Sequence, residues 1–114
     1  MDSKLPAQPL AFEATVTGDT VTIVLRGEFD LTSAAFLSGR LARIQESRPR
    51  RVVFEMTQVG FMDCASARLI ADTGSWLPAG VRPVIHHPSP IVRRMLELSS
   101  IGTQCELESS SPDN

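Results

Sequence analysis

Three side chains with reactive groups stand within four positions of the chain, in the segment Asp63-Cys64-Ala65-Ser66. A carboxylate, a thiol and a hydroxyl in this proximity suit redox, phosphorylation or anion-binding chemistry. The segment follows an apolar run that begins at Val52 and precedes residues with helical spacing, so it marks the place where a strand gives way to a helix. Backbone N–H groups and the positive end of the helix dipole meet solvent at such a junction. We therefore expect the function to lie here.

Two other pairs of side chains invite a chemical interpretation. His86 and His87 are adjacent, and adjacent residues at a strand end point to opposite faces, so we expect surface histidines and no metal site. Glu28 and Asp30 resemble paired catalytic carboxylates, but we place them in a loop near the Asp63 helix start, where a role in a partner interface is the better interpretation. The sequence has neither a nucleophile elbow nor a Gly-rich phosphate loop. It therefore predicts no catalytic residues, no enzyme activity and no cofactor.

Length and composition restrict the class of protein. The chain has 114 residues, of which 42% are apolar, and this is enough for one domain with a single core. A net charge of −2 and an aromatic content of 5% do not fit phosphate-backbone binding or base stacking, so no nucleic-acid partner is predicted. No segment approaches the roughly 20 apolar residues of a membrane span, and the N-terminus lacks an apolar signal core. With only two cysteines, we expect a reducing, cytoplasmic compartment.

Hydrophobic periodicity predicts the elements that must position these side chains. Strands are predicted at residues 12–17, 20–26, 52–56, 81–85 and 104–107. Helices are predicted from a cap at Thr32 or Ser33, from Asp63 to Trp76, and from a cap at Ser89. The position of Asp63 favours it as the cap of the second helix. Loops are predicted at residues 27–30 and 61–64.

The resulting order is β-β-α-β-α-β-α-β, which predicts an α/β fold with a mixed β-sheet covered by helices. We divide the chain into a flexible N-terminal arm at residues 1–10, a single domain at 11–107, and a disordered, acidic, Ser-rich tail at 108–114.

Three segments in this order resemble a known family. They are GEFD at residues 27–30, VVFEMTQVGFMDCASARLI at 52–70 and the helix that begins SPIVRRMLELSSIG at Ser89. Taken together, in this order and at this spacing, they resemble the STAS domain, found in anti-sigma factor antagonists and in the cytoplasmic parts of sulfate transporters. Because no transporter segment is present, we expect the stand-alone antagonist branch.

The resemblance implies a partner and a switch. The partner is an anti-sigma factor that is also a serine kinase. The family's loop commonly reads Asp-Ser-Ser/Thr-Gly-Leu, and the Ser after the Asp is phosphorylated. A phosphate adds nearly two negative charges to the interface and ends the binding. The unphosphorylated antagonist binds the anti-sigma factor, which frees the sigma factor for transcription.

This chain departs from the family at the acceptor itself. Asp63 matches, but Cys64 stands where the acceptor Ser is expected, Ala65 replaces the next hydroxyl residue, and Ser66 replaces the Gly. Three interpretations of Cys64 remain open: an antagonist that cannot be phosphorylated here, a redox switch favoured by the helix start, and a small buried residue. Ser66 is a displaced candidate acceptor, although helix geometry points it elsewhere. We expect Cys105 to lie too far from Cys64 for a disulfide.

The resemblance also implies a contact surface for the partner. The expected contact residues are Glu28, Asp30, Gly60, Met62, Asp63, Cys64, Ala65, Ser66, Arg68 and Leu69. The alternative function is a STAS scaffold or sensor that assembles with other STAS proteins or binds a small ligand, which the missing acceptor Ser favours.

Overall fold

The computed structural model describes residues 9–108 of the chain. Residues 1–8 of the predicted flexible arm and 109–114 of the predicted tail lie outside the described residues. The strands are β1 (Ala11–Thr17), β2 (Thr20–Phe29), β3 (Arg51–Met62), β4 (Val84–His86) and β5 (Glu106–Glu108). The helices are α1 (Ala34–Glu46), α2 (Cys64–Asp72) and α3 (Pro90–Leu98), with short 3-10 turns at Leu31–Ser33, Thr73–Trp76 and Ser100–Gln104.

The five strands form one mixed sheet in the order β1-β2-β3-β4-β5. Strand β1 is antiparallel to β2, and every later pair is parallel. Because the strand order never reverses, right-handed crossovers place all three helices on the same face of the sheet. Within residues 9–108, no helix lies on the opposite face. The predicted fold class and element order are confirmed.

Burial along β2 shows which face meets the helices. Val21, Ile23 and Leu25 are buried and belong to the core, whereas the residues between them are partly exposed. The core cluster also contains Leu37 of α1 and Ile70 of α2. The apolar side chains that alternate along the strand therefore pack in one layer with those that repeat at helical spacing on the helices.

Two predicted loops are wrong, because the strands beside them run further than periodicity indicates. Strand β2 continues through Gly27–Phe29 and β3 through Gly60–Met62. The two extensions pair with each other, Glu28 with Phe61 and Phe29 with Met62, after irregularities in the register. Cys64, also assigned to a loop, is the first residue of α2. Pairing with a neighbouring strand, which local sequence does not report, decides these ends.

Strands β4 and β5 are shorter than predicted and begin later. Strand β4 begins at Val84 because Pro83 has no N–H to donate to a ladder, and Val81–Pro83 approach the sheet as irregular chain. The last strand begins at Glu106 and not at Gln104. On β1 the expected buried alternation is incomplete, since Val16 is 62% exposed.

The predicted helix limits are also revised. Helix α2 ends at Asp72 and continues as the 3-10 turn Thr73–Trp76. Ser33, one of the two predicted cap residues, occupies the cap position of α1, but its side chain makes no cap bond there. The side chain of Asp30 caps the preceding turn Leu31–Ser33. Within residues 9–108, the longest apolar helical stretches are too short to cross a membrane.

Candidate functional site

Asp63 joins the end of β3 to the start of α2. Its backbone is extended, with φ −86° and ψ 174°, and its Oδ1 accepts a hydrogen bond from the Ser66 backbone N–H at 2.8 Å. Its own N–H donates to the Phe29 carbonyl at 2.8 Å. The first hydrogen bond satisfies one of the orphan donors of the helix, and the second fixes the helix start to the end of β2. The predicted helix cap at Asp63 is confirmed.

Cys64 occupies the first helical position and is exposed, with its thiol free. Ala65 and Arg68 are exposed on the same helix, and Leu69 is half-buried against the core. Of the three interpretations of Cys64, the buried one is therefore wrong. Cys105 is also a free thiol but is buried, and burial raises its pKa to about 11 despite the opposing charge of Arg82.

Two expected contact residues are enclosed by the domain. Met62 is 1% exposed and Ser66 0% exposed, so neither can touch a partner without rearrangement. Met62, the last residue of β3, belongs to the core cluster, and Ser66 lies on the inner side of the first turn of α2. Among residues 9–108, the buried side-chain oxygens that lack a hydrogen-bond partner are Asp63 Oδ2 and Ser66 Oγ.

Glu28 and Asp30 lie beside this helix start, as the sequence predicted. Glu28 is exposed on β2, and a Cβ placed on Gly60 of β3 would come within 3.6 Å of its Oε2. Asp30 is exposed, and its Oδ1 accepts from the Thr32 hydroxyl at 2.7 Å and from the Thr32 N–H at 3.0 Å. These hydrogen bonds lower the pKa of the Asp30 carboxyl below its ordinary value, so it is ionised at neutral pH.

An apolar groove next to Cys64 was missed by the sequence reasoning. The groove has a volume of about 460 Å³ and is lined by Cys64, Ile91, Arg94, Met95, Leu98 and Ser99. Ile91 and Leu98 of α3 are apolar, yet they are 59% and 74% exposed. Two more apolar side chains are exposed near the expected contact residues in sequence, Leu31 at 80% and Phe61 at 41%.

The spacing on α3 contained the signal for this groove. Val92 and Leu96 are four residues apart and are buried in the core. Ile91, Met95 and Leu98 form a second stripe at positions i, i+4 and i+7, turned by about 100° from the first. The core needs only one apolar stripe from this helix, so the second stripe remains available at the surface.

His86 and His87 are placed differently from the prediction. His87 has a positive φ of 57°, which breaks the strand alternation, and its Nδ1 lies 3.0 Å from both carboxylate oxygens of Glu55. His86 Nδ1 lies 3.9 Å from Glu55 Oε1. Burial alone would raise the pKa of the Glu55 carboxyl, but hydrogen bonds from Thr57 and His87 outweigh it and lower the pKa. The expectation that the two rings point to opposite faces is wrong.

The arrangement at the start of α2 offers exposed apolar and acidic groups around a capped helix, which are features of a protein-binding domain. The sequence matches the STAS domain family over residues 11–112, and the chain belongs to that family. No curated protein sequence is significantly similar to it.

Solved structures with the same fold include several anti-sigma factor antagonists. The unphosphorylated form of the antagonist SpoIIAA is 24% identical with a TM-score of 0.71, covering 88% of this chain and 90% of that one. An anti-sigma factor antagonist from Mycobacterium paratuberculosis is 16% identical with a TM-score of 0.79, covering 90% and 88%. The phosphorylated form of SpoIIAA, a cell fate determinant of Bacillus, is 23% identical with a TM-score of 0.64, covering 88% and 93%. At these identities the likeness establishes the fold.

Proposed function

We propose that this chain is an anti-sigma factor antagonist of a bacterial cytoplasm. It binds an anti-sigma factor of the serine kinase type and so regulates sigma-dependent transcription, as a binding module and not as an enzyme. Membership in the STAS family and the fold shared with antagonists support this proposal. The observation that carries it is the exposed position of Cys64, directly after the Asp63 cap and beside an apolar groove.

The contact surface differs from the one that the resemblance implies. It includes the exposed residues Glu28, Asp30, Gly60, Cys64, Ala65 and Arg68, and it gains Ile91, Met95 and Leu98 of α3. Met62 and Ser66 are removed from it because they are buried. The apolar stripe of α3 provides the desolvated centre that a stable interface needs, and the acidic residues provide a polar rim.

The usual phosphate switch is absent at this surface. A thiol is not a substrate for a serine kinase, and the nearest hydroxyl, that of Ser66, is buried on the inner side of α2. A kinase could reach Ser66 only after the first turn of the helix opened. We therefore infer that phosphorylation of this loop does not end binding, and that chemical modification of the exposed Cys64 is the remaining way to change its charge or bulk.

Binding to the anti-sigma factor kinases of the source genome tests this proposal. We expect one of them to bind the purified chain and Cys64→Ser to bind with similar affinity. We expect Cys64→Asp to bind at least about tenfold more weakly, because a new charge must be desolvated beside the apolar side chains of the groove. The matched control is Ser38→Asp, which adds the same charge at an exposed position of α1. Equal loss in both variants, or no binding by any kinase, would overturn the proposal.

Labelling with radioactive ATP tests the missing switch separately. With the kinase identified above, the wild-type chain is expected to incorporate no phosphate, whereas Cys64→Ser is expected to become a substrate because the hydroxyl then stands at the exposed first position of α2. Stoichiometric labelling of the wild-type chain at Ser66 would contradict this part of the proposal.

The apolar groove favours one alternative function, a scaffold or sensor that binds a small ligand or other STAS proteins. Its volume of about 460 Å³ lies within the range of small-molecule sites, although it is shallow. Size-exclusion chromatography and a thermal-shift screen separate the two functions. A monomer with no thermal response that binds a kinase supports the antagonist.

A further inference from the structure

The register of the sheet aligns three ligand-type side chains across neighbouring strands. Glu55 of β3 pairs with His86 of β4, and His86 pairs with Glu108 of β5. Paired positions of parallel strands project their side chains to the same face of the sheet. Phe54 and Ile85, the residues before Glu55 and His86, are buried in the core on the helix side. The row Glu55–His86–Glu108 therefore lies on the face of the sheet opposite the three helices.

His87 joins this row because of its backbone. Its positive φ of 57° redirects the chain after β4, and its N–H donates to the Glu108 carbonyl at 2.8 Å. The two imidazole rings lie with their centroids 5.3 Å apart, and both face the Glu55 carboxylate. A non-glycine residue in this backbone region is uncommon and is held there by its surroundings.

We propose that Glu55, His86 and His87 form a binding site for a divalent transition-metal ion of the Zn²⁺ class. One ligand atom from each side chain lies within 4.8 Å of the others. The carboxylate of Glu55 is 3.0 Å from His87 Nδ1 and 3.9 Å from His86 Nδ1. These distances bracket the roughly 3.3 Å between ligand atoms that follows from tetrahedral Zn–N and Zn–O bonds of about 2.0–2.1 Å. Small rotations of partly exposed side chains close the site around an ion.

Two of the three ligands, His86 and Glu55, are already oriented by residues outside the ligand set. His86 Nε2 lies 2.5 Å from Glu108 Oε1, which leaves its Nδ1 facing Glu55. A ring nitrogen that donates to a carboxylate while the other binds the metal is the usual arrangement of zinc-bound histidine. Thr57 donates to Glu55 Oε2 from its backbone N–H at 3.2 Å and also from its hydroxyl. The carboxylate is thereby held between Thr57 and His87.

The donor set selects the class of metal. Two imidazoles and one carboxylate suit Zn²⁺, Ni²⁺ or Cu²⁺, whereas Mg²⁺ and Ca²⁺ prefer sites built from oxygen atoms. The ligands come from the middle of β3 and from the end of β4, and Glu108 of β5 supports one of them. A bound ion would therefore clamp the three-residue strands β4 and β5 to the long central strand.

Titration calorimetry with ZnCl₂ tests the site. The protein is the full chain without a polyhistidine tag and with Cys64→Ser, which removes the exposed thiol as a competing ligand. We expect one ion per chain and a melting temperature that rises by at least about 5 °C at 100-fold excess over the dissociation constant. The same titration with MgCl₂ should give no binding. Absence of saturable Zn²⁺ binding, or half an ion per chain from bridging between molecules, would overturn the proposal.

Matched variants locate the ion. His87→Asn keeps a residue that tolerates positive φ, and Glu55→Gln keeps the shape of the side chain. Each is expected to weaken Zn²⁺ binding at least about tenfold, as removal of a metal ligand or its support does. The control Glu13→Gln removes one exposed carboxylate that pairs with Arg26 on β1 and β2, and should leave binding unchanged. Melting without metal verifies that each variant folds. Equal affinity in His87→Asn, or equal loss in Glu13→Gln, would contradict the site.

Discussion

The neighbouring parallel strands β3 and β4 are joined to the helices that follow them by junctions of different length. Each junction belongs to one of the two candidate sites. The chain passes from β3 into α2 through the single residue Asp63, whose cap bond to the Ser66 N–H is 2.8 Å long. From β4 to α3 it passes through His87, Pro88 and Ser89, and the cap bond from the Val92 N–H to Ser89 Oγ is 3.4 Å. We therefore expect the first junction, which is bordered by apolar surface, to be the more rigid, and the second, which is polar, to be the looser.

The contrast follows from strand length. Strand β3 runs for 12 residues and remains paired with β2 until Met62, so its helix begins at once on a fixed base. Strand β4 runs for three residues, and the chain beyond it is free to bring His87 back over Glu55. A rigid junction suits the docking of a protein surface, because little ordering entropy is lost on binding. A polar junction with adaptable side chains suits an ion.

The largest expected effect comes from a substitution in the turn after α3, the helix that follows the second junction. A Cβ on Gly102 would lie 2.4 Å from the Leu96 carbonyl oxygen and 3.0 Å from its carbon, in the turn that follows α3. Because backbone atoms cannot yield as a flexible side chain does, we expect Gly102→Ala to destabilise the domain by about 3 kcal/mol in urea unfolding. Hydrogen exchange should rise more in α3 and β5 than in α2.

Gly39→Ala is the matched control for this prediction. Gly39 lies inside α1, and a Cβ there would meet nothing within 4 Å. The substitution should stabilise the domain by about 0.5–1 kcal/mol, the helix-propensity difference between the two residues. Should Gly102→Ala prove as stable as wild type, the turn after α3 yields to the added Cβ, and the steric argument for this prediction is wrong.

The two thiols give the next prediction. Cys64 is exposed at the first junction. Cys105 follows the turn after α3 and is buried, and burial raises its pKa from 9.0 to about 11. A pKa that is about two units higher reduces the thiolate fraction of Cys105 at neutral pH about 100-fold. We expect iodoacetamide at pH 7.5 to modify one thiol per chain in the folded protein and two in urea, with Cys64 identified by mass spectrometry.

The reactivity of the two thiols can also contradict the comparison of the two junctions. Cys64→Ser should leave no thiol that reacts within the time in which wild-type Cys64 is consumed. If Cys105 reacts as quickly as Cys64 in the folded chain, the packing behind α3 opens on that timescale, and the second junction is looser than the structure indicates.

The helix caps test the rigidity of the two junctions directly. Asp63→Ala removes a short cap bond and should destabilise the domain by about 1–2 kcal/mol, whereas Ser89→Ala removes a longer one and should cost about 0.5–1 kcal/mol. Urea unfolding measures both. Asp63→Asn is the control, since it retains an acceptor for the Ser66 N–H. A larger loss in Ser89→Ala than in Asp63→Ala would reverse the assignment of the rigid junction.

The sequence predicted the element order because periodicity is a local signal. Val21, Ile23 and Leu25 alternate on a strand, and Val92 and Leu96 repeat on a helix, whatever the rest of the chain does. The Asp63 cap was also predicted, since a cap depends on residues within one turn of itself.

The errors concern properties that depend on distant residues. The pairing of Glu28 with Phe61 extends both strands, and neither segment shows this extension alone. The cluster of Glu55, His86 and His87 requires the register of β3 against β4 and a positive φ at a histidine, and the sequence indicates neither of these. The exposure of Ile91 was accessible in principle, because α3 carries two apolar stripes and the core needs only one.

The smallest expected effect is a pH dependence at the first junction. Hydrogen bonds from Thr32 lower the pKa of Asp30 below its ordinary value of 3.8. The folded state therefore binds this proton less readily than the unfolded state, so the stabilisation is present above pH 3.8 and is lost as pH falls through the lower folded value. Asp30→Asn keeps a capping side chain that does not titrate. We expect the melting temperature of wild type to exceed that of Asp30→Asn at pH 6 and the difference to shrink as pH falls below 3.8, whereas Asp30→Ala, which lacks a cap, remains less stable than Asp30→Asn throughout. A constant difference between wild type and Asp30→Asn across this range would show that Thr32 does not hold the charged carboxylate, and that the acidic rim beside Cys64 is less ordered than the helix start it borders.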